Sequence, residues 1–87
     1  MTGPPPVEAL EEFAGALRRL RRAAGDPSYR VLARRTGYAA TTLSAATNGR
    51  GVPTRSVTLA YVAACGGDVA EWERRWQRGR TQRAAWR

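Results

Sequence analysis

Histidine and lysine are both missing from this chain, and cysteine occurs once, at Cys65. Each absence closes a class of chemistry. With no histidine and a single thiol, a structural zinc site has too few ligands, and Cys65 has no partner within the chain for a disulfide. It falls in the apolar stretch LAYVAAC, where buried packing is its expected role. The acids gather toward the two ends, and no Ser, Thr or Cys has an evident base beside it. The chain is therefore expected not to be an enzyme, and nothing in it implies a cofactor or a metal. No apolar run approaches the ~20 residues that span a bilayer. The segment MTGPPPVEALEE is acidic and lacks the charged-then-apolar order of a signal peptide.

What the chain does have is arginine. All fifteen basic residues are Arg, and the net charge is +8 over 87 residues. Arg abundant beside Ala and Gly points to a GC-rich coding sequence, so the choice of Arg over Lys says little by itself. The distribution of charge says more. Glu8, Glu11 and Glu12 crowd the start, and between Asp26 and Asp68 there is no acid, while Arg30, Arg34, Arg35, Arg50 and Arg55 lie there. A central segment of one sign suits a polyanionic partner; a solvated basic surface is the plainer reading. With 43% hydrophobic residues, the length supports one domain with a modest core.

Residues 1–6 are expected to form a flexible lead, since Pro4-Pro5-Pro6 has no place inside a helix. A first helix over 7–24 follows from the stripe Leu10, Phe13, Leu17, Leu20 and Ala24. Its glutamates lie near its start and Arg18, Arg19, Arg21 and Arg22 near its end, which complements the helix dipole. Gly25-Asp26-Pro27 closes it, and Ser28 is an N-cap candidate for a second helix over 29–36. A third helix is expected over 39–47. Gly49 to Pro53 reads as a loop; its two glycines lack the GK[ST] of a nucleotide-binding loop. Thr54 caps a fourth helix to about Cys65, largely apolar through Val57, Leu59, Ala60, Val62 and Ala63, with Tyr61 placing its hydroxyl toward water. Gly66-Gly67 ends it. Asp68 and Glu71 resemble a capping box for a fifth helix, with Val69, Trp72 and Trp76 on one face and Glu71 and Arg75 paired outside. The domain is expected over 7–78, followed by a basic tail over 79–87.

The most informative stretch is YRVLARRTGYAATTLSAATN, residues 29–48. It reads as two short helices joined at Thr36-Gly37-Tyr38. Ala33 is small enough for the close approach of two crossing helices. Gly37 can take the positive φ that the corner needs. Leu43 and Ala46 form the inner face of the second helix of the pair. This Ala33–Gly37–Leu43 frame resembles the helix-turn-helix of the Cro/repressor-like (XRE) family, in particular the small domains of high-GC actinobacteria, which stand alone or begin larger proteins. LRRLRRAAG upstream and YVAACGGDVAEWERRW downstream follow the same order, so the resemblance covers roughly residues 10–78. It implies an all-α, compact five-helix bundle of lambda-repressor-like architecture.

The resemblance also implies a function: double-stranded DNA binding, as a transcriptional regulator. The third helix would enter the major groove, with Thr41, Thr42, Ser44, Ala45 and Asn48 facing base edges. Arg30, Arg50 and Arg55 would hold phosphates. The readout face is short and uncharged, and Asn48 alone is a bidentate reader, so base discrimination is expected to be modest. The expected location is cytoplasmic, in the nucleoid when DNA-bound. A different class of function is also open: a non-catalytic protein-interaction or adaptor module, such as the N-terminal domain of a larger signalling protein. The alanine-rich face favours it. Trp72, Trp76 and Trp86 are candidates for contact with a second copy or a larger partner; for the first two, covering the open end of a small core is the duller role.

Overall fold

A computed structural model describes residues 7–49, 51 and 53–85 of the chain. Those residues form five helices: α1 (Val7–Ala23), α2 (Tyr29–Thr36), α3 (Ala40–Ala45), α4 (Arg55–Ala64) and α5 (Val69–Ala85). The expected flexible lead, Arg50 and Trp86 fall outside the described residues. The all-α expectation holds, and the second helix has the span read from its cap and corner.

Local chemistry sets most of the helix ends. The Ser28 side chain accepts from the Val31 N–H, and that of Thr54 from the Val57 N–H, so each satisfies one of the four orphan donors at a helix start. An Asp68 carboxylate oxygen does the same for Glu71 N–H at the head of α5. Gly37 ends α2 at φ +81 and donates its N–H to Ala33 O, the left-handed closure expected at the corner.

The core draws on every helix. Leu17, Leu32, Leu43, Tyr61 and Val62 are fully buried, with Ala16, Ala46, Val57, Cys65 and Trp72 around them. Burial of one such large side chain is worth about 1.5–3 kcal/mol. Phe13 meets Trp72 edge-on at a centroid distance of 5.6 Å, which joins α1 to α5. Gly67 lets α4 turn tightly: a Cβ there would lie 2.9 Å from Val62 and 3.0 Å from Leu20.

Several expectations change. Tyr61 is wholly buried, and its hydroxyl donates to Leu17 O at 3.0 Å rather than meeting water. Burial pushes its pKa well above the ordinary tyrosine value, so the hydroxyl stays protonated. Ala24, Ala63 and Val69 are exposed, although periodicity placed each of them inward. Thr58, unremarked in the sequence, is fully buried because its hydroxyl is satisfied by Thr54 O at 2.9 Å. Arg75 does not pair with Glu71; its guanidinium lies over the Trp72 ring at 4.5 Å. The helix of α5 continues through Gly79 to Ala85, beyond the tail boundary drawn at 79. One glycine in a helix interior costs about 1 kcal/mol, which need not end it when strong helix formers flank it.

Candidate nucleic-acid interface

The helix pair α2–α3 presents one face outward. Leu43 and Ala46 turn inward and are buried, and that choice fixes everything else on α3. Thr41, Thr42, Ser44, Ala45 and Asn48 are all exposed. No charged side chain stands among them, so their surface consists of hydroxyls, methyls and one carboxamide. Thr42, Ala45 and Asn48 border an open concavity of about 380 Å³, whose far wall is Gly51, Pro53 and Thr54 at the entry to α4.

What holds α3 in place is a hub at Thr47, just beyond its end. The Thr47 hydroxyl lies 2.7 Å from the Tyr29 hydroxyl and 3.0 Å from Ser44 O. Arg18 Nη1 donates to Thr47 O at 2.6 Å, and its Nη2 lies 3.5 Å from the Glu11 carboxylate. Arg21 stacks over the Tyr29 ring at 4.7 Å while holding Asp26 and Pro27 O, each at 2.9 Å. Three helices thus meet at one turn. The contacts of Thr47 with Arg18 and Tyr29 were not identifiable from spacing, because these partners lie 29 and 18 residues away. Tyr29, directly after a cap, was the nearest thing to a signal.

The cations fall into two groups. Arg18, Arg21, Arg35, Arg55 and Arg75 have intramolecular partners. Arg35 donates to Ala64 O at 3.3 Å, at the C-terminal end of α4 where a cation is favoured. Arg55 gives its Nε–H and an Nη2–H to Glu73 Oε2, at 2.9 and 2.7 Å. Arg30, in the first turn of α2, is exposed and has no side-chain partner among the described residues. Of the three expected phosphate contacts, then, Arg30 is open, Arg55 is held by Glu73, and Arg50 lies outside the described residues.

Two acids enter a region that looked acid-free in sequence. Besides Glu73 beside Arg55, Glu11 lies against Gly49; a Cβ on that glycine, which sits at φ +76, would strike the Glu11 carboxylate. Both carboxylates face an arginine, which limits the negative field they add at the face of α3.

Trp72 and Trp76 serve the fold. Trp72 is 6% exposed, in the core, and Trp76 donates its indole N–H to Pro53 O at 2.7 Å. Trp72 therefore offers no surface to a second copy or a partner. Among the described residues no helix is long and apolar enough to cross a membrane.

Compared with known families, residues 12–74 match the family described as a helix-turn-helix domain. No curated protein and no solved structure matches the chain.

Proposed function

The chain belongs to the helix-turn-helix domain family, and we propose that it binds double-stranded DNA as a non-catalytic regulator of transcription. In such motifs the second helix lies in the major groove with its N-terminal side chains against base edges. That helix is α3. The observation that carries the proposal is its outward face: Thr41, Thr42, Ser44, Ala45 and Asn48 are all exposed on a positively charged chain. Thr and Ala methyls suit thymine methyls, hydroxyls serve bases or phosphates, and Asn48 can meet adenine. Arg30, Arg50 and Arg55 hold the backbone and set register.

Titrating a random-sequence duplex pool at several salt concentrations tests this. Two to three phosphate contacts, according to how fully Arg55 counts, give a slope of log K against log[salt] between about −1.8 and −2.7. Affinity independent of salt, or no binding to any duplex at low salt, refutes the proposal. Sites selected from the same pool should show a weak consensus, since hydroxyls and methyls discriminate less than bidentate pairs.

One observation favours a second reading, a protein-interaction module in a larger protein: the same face is small, uncharged and alanine-bearing. Sedimentation of the protein with and without duplex separates the two. Self-association or partner capture without any gel shift selects the second.

A further inference from the structure

The segment Pro53–Arg55, which leads from the recognition helix into α4, is gripped by α5. Trp76 holds Pro53 O, and Glu73, three residues earlier and so on the same face of α5, holds Arg55. Pro53 and Thr54 also line the concavity beside Thr42, Ala45 and Asn48. The Arg55–Glu73 pair thus stands next to the face proposed to meet DNA. It is also open to solvent, with side-chain exposures of 50% and 37%.

The details of the pair matter. Both N–H groups on one edge of the guanidinium, Nε and Nη2, converge on a single carboxylate oxygen. That edge is one a phosphate would take for a forked contact. Glu73 covers that edge and leaves the Nη1 end of the guanidinium without a partner among the described residues; a carboxylate that merely aimed that end at DNA would weaken binding when removed, whereas a competitor would strengthen it.

We propose that Glu73 is an internal competitor for the DNA backbone: its carboxylate occupies Arg55 in the free protein and yields it to a phosphate on binding. The proposal rests on the DNA-binding reading above and adds to it a residue that lowers affinity. Binding exchanges one ion pair for another, so Arg55 contributes less than an unpaired arginine such as Arg30. A duplex that does not bring a phosphate to Arg55 gains nothing there, which penalises poorly seated complexes.

The test is a mutant cycle read by fluorescence anisotropy on a labelled random-sequence duplex pool. Glu73→Gln should bind about two- to fivefold tighter than Glu71→Gln, the worth of an exposed ion pair. Its salt slope should steepen by up to about 0.9. Glu71→Gln reports the effect of losing one negative charge on the same helix. In an Arg55→Ala background the gain from Glu73→Gln should fall to that of Glu71→Gln. An equal gain in both backgrounds, a gain no larger than that of Glu71→Gln, or weaker binding overturns the proposal while leaving the DNA reading intact. Failure of the wild-type chain to bind any duplex overturns both. A second readout does not depend on how well the variants fold. The Arg55 Nε–H resonance of the wild-type protein should shift on adding duplex, and an unmoved resonance counts against the exchange.

Discussion

The two helices of the motif are held by opposite means. α2 closes its own ends: Ser28 caps its start and Gly37 closes its finish in the left-handed conformation. α3 has neither device. It is six residues long, its N-cap is Ala39 with no side-chain bond, and its C-cap Ala46 stays in the right-handed conformation. A helix of that length cannot repay its own nucleation in water. It exists because Leu43 and Ala46 are buried and because Thr47 is tied to Tyr29, Ser44 and Arg18. The difference shows how a reading surface can be kept free. When the buried face and a hub beyond the helix end carry the stabilisation, outward side chains such as Thr41, Thr42 and Ser44 can be spent on a partner.

That contrast can be attacked directly. Leu43→Ala should have the largest effect, about 2–5 kcal/mol of stability, measured by chemical denaturation; a loss under 1 kcal/mol would mean that α3 is not held by its plug. Next comes Thr47→Val, which keeps the shape and removes the hydroxyl. It strands the buried end of the Tyr29 contact and should cost about 1–3 kcal/mol. Amide exchange should quicken in α3 and not in α2, and uniform acceleration would dissolve the distinction between the two helices. The caps give a paired test of smaller size. Ser28→Ala should destabilise by about 1 kcal/mol, while Ala39→Ser should stabilise by about 0.5–1 kcal/mol, because α3 lacks the cap that α2 already has. If thermal melts show no gain for Ala39→Ser, the end of α3 is satisfied in some other way. Thr42→Ala should be the smallest in stability, within about 0.5 kcal/mol, yet it should reorder the sites recovered from a random DNA pool. An unchanged ranking would remove Thr42 from the readout.

Much of the motif could be read from the chain because its signals are local. Ser28 and Thr54 at helix starts and Gly37 at the corner act within three or four residues, and each sits where its chemistry placed it. The inward face of α3 followed from Leu43 and Ala46, and the outward set followed by subtraction. The misreadings share another cause. Tyr61 was turned toward water because its partner, Leu17 O, lies 44 residues away. Arg75 was paired with Glu71 because a helix face shows the i,i+4 neighbour and not the aromatic ring that competes for the same guanidinium. Arg18 and Arg21, which along the chain only complement the dipole of α1, hold a carbonyl and a ring that the fold brings to them. The same limit hid the acids. A stretch free of Asp and Glu is still met by Glu11 from α1 and Glu73 from α5.

The sequence by itself determined where the capped helices α2 and α4 start, where α2 stops and which side of α3 is apolar, since caps, corners and periodicity are set by neighbours along the chain. Only the tertiary structure decided which arginines are spent inside the protein and which remain for a partner. A guanidinium has five donors and a long, flexible stem, so its partner is whichever acceptor the packing brings within reach, and no spacing in the chain records that distance.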